Sequence, residues 1–282
     1  MMKRNQLREA IFRHLDGLVV VPVAYSLFKK GILAHLLKEK STTLSQITNE
    51  FHANEGYLNV ALRVLASQGF LKYEVDNASG NVTISTLPIS EFAFSLVPIY
   101  EDTYQLLTQT SVFTANKMDS DSITLLEPIL KKFTENYHIH FEEDENLRTI
   151  QEQMLTHIEG YLVGPIVVNL GMTGMFHKYF MESSFRADEF HKHPEAFAKI
   201  LDFFVHLGWF SKKNDNYQFT EDGFFFAKRA SAYGVTVSYL PMFKHIDSLL
   251  FGNASELRNI AKNEDEIHVN REMNVWGSGG AH

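Results

Sequence analysis

The chain has no cysteine. Structural disulfides, thiolate metal sites and cysteine nucleophiles are therefore excluded. Basic residues are outnumbered: 26 Lys and Arg stand against 34 Asp and Glu, for a net charge of −8 and a sequence pI near 5.9. A nucleic-acid binder needs cations to displace the counterions of phosphates, and no segment here is strongly basic. Long apolar runs are missing too. The longest near the start, Leu18 to Ala24, falls well short of the roughly 20 residues that span a bilayer. The segment after Met1–Asn5, QLREAIFRHLDG, is amphipathic and charged, unlike a secretory signal. A cytoplasmic location with neither membrane nor nucleic-acid partner is the expectation. No P-loop, HExxH or GxSxG motif occurs.

What is present is aromatic mass, with 23 Phe in a chain of 282 residues. That favours thick aromatic cores or an apolar surface covered by something else. The length suggests two domains.

The chain repeats itself. GLVVVPVAYSLFKKGILAHL, from Gly17, aligns without a gap on GYLVGPIVVNLGMTGMFHKY, from Gly160. Gly17, Pro22, Leu27 and Gly31 fall on Gly160, Pro165, Leu170 and Gly174. After a four-residue shift, Glu50-Phe51-His52 recurs as Glu189-Phe190-His191, and Gly69-Phe70-Leu71 as Gly208-Trp209-Phe210. A second shift sets NVTIS, from Asn81, on NYQFT, from Asn216. Further on, Pro98 falls on Pro241 and Leu106-Leu107 on Leu249-Leu250.

Each copy reads as the same series of elements. A long apolar helix (15–29, 158–172) precedes short helices and a helix of about twelve residues (55–68, 194–207). In the latter, Leu58, Ala61, Leu62 and Leu65, or Phe197, Ile200, Leu201 and Phe204, fall at helical spacing. Gly69 and Gly208 follow where a left-handed cap is needed. A hairpin comes next, and a closing helix (98–113, 234–251) ends each copy. The expected fold is mainly α with small β-hairpins, as two tandem winged-helix units. The divisions are 1–117, a helical and acidic linker at 118–157, a second unit at 158–252, and a C-terminal segment, 253–282.

A winged helix that reads DNA lays its third helix in the major groove and shows polar, basic side chains outward. Here Tyr57 to Gln68 carry one charge, Arg63, and Phe197 to Leu207 carry Lys199 and Asp202, which cancel. Val60, Val64, Phe203 and Val205 lie off the main apolar stripe. Helices apolar nearly all round are buried on both sides, so another domain or subunit is expected to cover them.

His191 and His193, beside Asp188 and Glu189, have the look of a metal cluster. The first copy keeps His52 but has Asn54 in place of His193, so a structural helix end explains the pattern better. His138 and His140, followed by Glu142, Glu143 and Asp144, read as a solvated linker. No metal site is expected. By spacing alone, the glycine-rich run Gly277 to Gly280 reads as a flexible end.

LNVALRVLASQGFL (58–71) and TEDGFFFAK (220–228) resemble the N-terminal lid and dimerisation region of small-molecule O-methyltransferases. There a winged helix precedes a Rossmann-like S-adenosylmethionine domain. HVNREMNVWGSGGAH (268–282) is similar to the join between lid and catalytic domain in methyltransferases acting on 2-keto acids and polyketide intermediates, such as the ketoarginine methyltransferases and the modules of polyketide synthase loading regions. The family's cofactor domain has no counterpart in this sequence. The resemblance therefore implies the lid of a longer enzyme, inactive alone. Its partners would be its own catalytic domain, a small-molecule acceptor and, in a dimer, a second copy. Asn274, Trp276, Gly277, Ser278, Gly279 and Gly280 would lie near the cofactor, S-adenosylmethionine, and His282 would be the catalytic residue. Glycines let backbone approach a ligand, and a histidine serves as a base near neutral pH. The competing reading is a stand-alone winged-helix regulatory or protein-interaction module.

Overall fold

The computed structural model describes residues 4–113, 118–177, 181–255, 257 and 268–279. They are mainly helical, with two small sheets. The first half runs α1 (Arg4–Lys30), α2 (Ile32–Glu39), β1 (Ser41–Thr43), α3 (Leu44–Phe51), α4 (Glu55–Ser67), β2 (Leu71–Val75) and β3 (Val82–Thr86). α5 (Ser90–Leu96), a 3₁₀ turn (Val97–Tyr100) and α6 (Glu101–Gln109) complete it. α7 (Ser120–Thr134) leads to α8 (Glu145–Met172). Next come α9 (Ala187–Phe190), α10 (Pro194–His206), β4 (Phe210–Lys213) and β5 (Asn216–Phe219). α11 (Glu221–Ala227), α12 (Ser231–Val237), α13 (Leu240–Phe243), α14 (Ile246–Phe251) and α15 (Arg271–Gly279) follow.

Both long helices exceed the spans expected from their apolar runs. α1 starts eleven residues earlier because Leu7 and Ile11 are buried on the same face as the later run. α8 starts at Glu145 because the Asp144 carboxylate caps it, accepting from the amides of Asn146 and Leu147. α1 is apolar and long enough to cross a membrane, yet two-thirds of its apolar window is buried inside the fold. The supposed linker 118–157 is thus split between α7 and the first turns of α8.

The expected closing helices are broken into short pieces. Pro98 and Pro241 each occupy a first helical turn, where a missing N–H costs nothing but a preceding helix cannot continue. The β1 strand was not foreseen. It pairs with β3, giving the sheet order β1-β3-β2. In the second half a single bridge, Phe185 to Tyr217, takes that place beside the β4–β5 hairpin. Gly69 (φ 78°) and Gly208 (φ 77°) sit in the left-handed region where the third helix turns into the hairpin.

The ladder also corrects the alignment of the hairpins. Leu71 faces Thr86, and Phe210 faces Phe219. Thr86 therefore corresponds to Phe219, whereas setting NVTIS on NYQFT puts Ile84 there. The slip is two residues, which keeps each side chain on its own face because strand side chains alternate.

Helices α1 and α8 form the most extensive pairing in the molecule. A side chain on Gly17 would collide with the backbone of His157, and one on Gly160 with the backbone of His14. These glycines let the two helices cross backbone to backbone.

The two third helices differ outside. In α10, Phe203 is 3% exposed. It packs edge-on to Phe133 of α7, and Lys199 pairs with Glu127 of the same helix. The cover expected from another domain or subunit comes from within the chain. In α4, Val60 is 57% exposed and Tyr57 46%, so the expected burial on both sides does not hold there.

Candidate functional site

Among the described residues, polar groups reach the interior in several places, and two of these adjoin α8. The first lies at the helix crossing. Tyr100, just before α6, shares a 2.7 Å hydrogen bond with His157 Nδ1 of α8. Tyr233 of α12 shares a 2.7 Å hydrogen bond with His14 Nδ1 of α1. Each half thus supplies a tyrosine to the other half's histidine. All four residues are buried.

The outer ring nitrogens differ. His157 Nε2 donates to Gln68 Oε1 at 3.0 Å, and Gln68 also accepts from Gln153 at 3.1 Å. Burial, and then the nearby Arg13 charge, push the His157 pKa down to about 3. The ring is neutral at pH 7 with its proton on Nε2, so Tyr100 donates to Nδ1. Burial raises the Asp16 carboxyl, opposed by its hydrogen bond with Gln68. On the other side, His14 Nε2 donates to the Glu159 carboxylate at 3.1 Å. Burial raises the Tyr100, Tyr161 and Tyr233 hydroxyls well above the phenol range, the Glu159 charge adding to the effect at Tyr233. Sequence reasoning passed over both histidines. The signal was there: His14 and His157 each stand three residues before the paired glycines, in the same ungapped register.

The second arrangement is the C-terminal segment, which is the helix α15 and not a flexible run. Asn270 starts it, its side chain accepting from Met273 N at 3.0 Å while its own amide donates to Ser238 O at 2.7 Å. Asn274 donates to Ser238 Oγ at 3.0 Å. Gly277 lies against Gly234 of α12 so closely that neither position admits a side chain. Trp276 covers Gly171, near the end of α8.

Asn274 and Gly277 therefore dock the helix. Only Trp276 and Gly279 of the predicted set line a groove of about 650 Å³, with Gly171, His177, Lys228 and Ser231 opposite. Ser278 is exposed and lines none of it. Gly280 and His282 lie outside the described residues. The groove offers a flat indole wall, a hydroxyl, an imidazole and an ammonium. That set can bind and orient a polar or anionic molecule.

His191 belongs to neither arrangement. Its Nε2–H donates to Met118 O at 2.6 Å, and its Nδ1 accepts from the His193 amide at 3.1 Å. With both ring nitrogens engaged, it acts as a helix-end brace.

The β4–β5 hairpin, α10 and the short α9 before it give the second half the elements of a winged helix domain. Residues 159–253 match the family model described as the AprA winged helix domain. Residues 7–73 match the one described as the AprA N-terminal domain. No curated protein matches the chain.

Proposed function

We propose that this chain is the lid and substrate-capping region of an S-adenosylmethionine-dependent methyltransferase acting on a small keto acid or polyketide-type intermediate. The observation that carries this reading is the docked C-terminal helix. α15 bears the Asn-Val-Trp-Gly-Ser segment that resembles a lid-to-catalytic join, and it forms one wall of the 650 Å³ groove. Val275, 70% exposed, lines the same groove, and Val235 and Tyr239 of the second half are exposed too. Exposed apolar side chains of this kind suit contact with a further domain. That domain would hold the cofactor, since no segment here pairs a glycine-rich loop after a strand with a ribose-binding acid. The lid would exclude water and shape the acceptor pocket. Trp276 and Gly279 would face the reacting groups, while Asn274 and Gly277 keep α15 in place. His282 remains the candidate base, and Ser278 and Gly280 stay candidate cofactor contacts.

We further infer that the two halves arose by internal duplication. The reciprocal His–Tyr pairs and the mutual Gly–His backbone contacts support it. On this reading both winged-helix units pack protein and read no DNA, because α7 covers α10 and α4 shows one cation outward.

The test is to read the gene beyond His282 and assay its full product. A following Rossmann-like domain, methyl transfer, and a tenfold or greater fall in kcat/KM for Trp276→Ala at unchanged Tm are expected. A stop codon directly after His282 would contradict the proposal. The second reading, a protein-interaction module, draws on the bare outer face of α4. It predicts a partner lost on Val60→Asp and no methyl transfer.

A further inference from the structure

The two sides of the α1–α8 crossing correspond residue by residue yet end differently. On one side, Gln68 and Gln153 fill the space outside His157 and hydrogen-bond one another. Leu207 stands just before Gly208 as Gln68 stands before Gly69, and Ala10 precedes Gly17 by the same seven residues as Gln153 precedes Gly160. Both glutamine plugs are thus absent from the other side. A cavity of about 460 Å³ lies there, bounded by Ala10 and Leu207.

Its lining is chemically specific. Glu9 and Arg13 of α1 and Glu159 of α8 supply charge. His14, 1% exposed, reaches it through its Nε2–Glu159 contact. Trp209 and Phe226, stacked on one another 4.0 Å apart at 7°, supply an apolar border of ring edges. His14 occupies only Oε1 of the Glu159 carboxylate, and a carboxylate accepts through both oxygens.

We propose that this cavity is a binding site for a small molecule carrying a primary ammonium group on a short apolar body. The ammonium donates to Glu159 and Glu9, which outnumber the single Arg13 cation. The apolar body lies against the edges of Trp209 and Phe226, whose faces are stacked on one another. A volume of this size suits such a ligand. The ligand takes the place that Gln68 and Gln153 hold on the other side, and it sits apart from the Trp276 groove, so the inference does not depend on the methyltransferase reading. Two sources share the chemistry: a simple amine, and a free amino acid whose carboxylate would meet Arg13.

The experiment is thermal unfolding and titration calorimetry of the chain with benzylamine, L-phenylalanine and the uncharged benzyl alcohol, at neutral pH. Benzylamine is expected to raise Tm by about 3 °C at tenfold excess over Kd, and benzyl alcohol to leave it unchanged. A further gain from L-phenylalanine, lost in Arg13→Gln, would assign the site to amino acids. Glu159→Gln should abolish the shift. Leu207→Gln, which restores the plug, should abolish it while the free protein keeps its Tm. Ala10→Gln makes the same test if Leu207→Gln does not fold. Equal shifts from benzyl alcohol, no binding of either amine, or full binding in a folded plugged variant would overturn the proposal.

Discussion

The outer faces of α4 and α10, the third helices of the two halves, are covered differently. On α10, α7 packs on Phe203 and pairs with Lys199, so Phe203 is buried within the chain. On α4 the corresponding positions are Val64, partly buried against the core, and Val60, which is largely exposed. The same contrast runs through the helix crossing. The His157 side is closed by glutamines, and the His14 side opens on a cavity. What the halves share is the inner framework, namely the paired glycines, the histidines three residues before them and the swapped tyrosines. Where they diverge is outside that framework, and there the candidate binding surfaces lie.

The largest effect should come from breaking the framework. Gly17→Val drives a branched side chain into the His157 backbone, and overpacking against main chain has no flexible neighbour to yield. Loss of the cooperative unfolding transition, followed by circular dichroism, is the expected result. Gly56, with open space around it, should accept Val with a native melt.

Next in size is the covered face. Phe203→Ala should cost about 3–5 kcal/mol in chemical denaturation, because it removes a ring packed between α10 and α7. Val64→Ala at the corresponding place should cost about 1 kcal/mol or less. Equal losses would erase the distinction between the two faces.

The third prediction concerns acid. His157 titrates near 3 in the folded protein against 6.5 unfolded. Above pH 6.5 the ring is neutral in both states, and its contribution to stability is fully present. As pH falls from 6.5 towards 3, the unfolded chain binds a proton that the folded ring refuses. Stability should then drop by up to about 1.4 kcal/mol per pH unit. His157→Gln should flatten that limb of the stability–pH curve. An unchanged limb would show that the ring is not held neutral.

The smallest effect is expected at Val60. Val60→Ser on the bare face should change stability by less than about 0.5 kcal/mol.

Much of the helical skeleton was legible because apolar periodicity and glycine caps are local signals. Gly69 and Gly208 marked their turns by conformational need alone. The helix starts at Arg4 and Glu145 were missed because tertiary burial of Leu7 and capping by Asp144 extend the helices beyond their apolar runs. The closing helices were overestimated because periodicity ran on across Pro98 and Pro241. At the C-terminus, composition suggested a loose glycine-rich tail. Gly277 instead makes a helix contact, a role that depends on Gly234 some forty residues away and so leaves no local trace. Trp276 and Gly279, expected near a cofactor from the resemblance, line a groove. The His–Tyr pairs were hidden because each joins residues from opposite halves of the chain.

The central claim is that the crossing of α1 and α8 makes both halves one folding unit. Native-state hydrogen exchange tests it most directly. Amides around Gly17 in α1 and Gly160 in α8 should exchange only through global unfolding, with the same free energy and the same denaturant dependence. If one of these helices exchanged through a separate, lower-energy opening while the other stayed protected, the halves would be independent and the account would be contradicted.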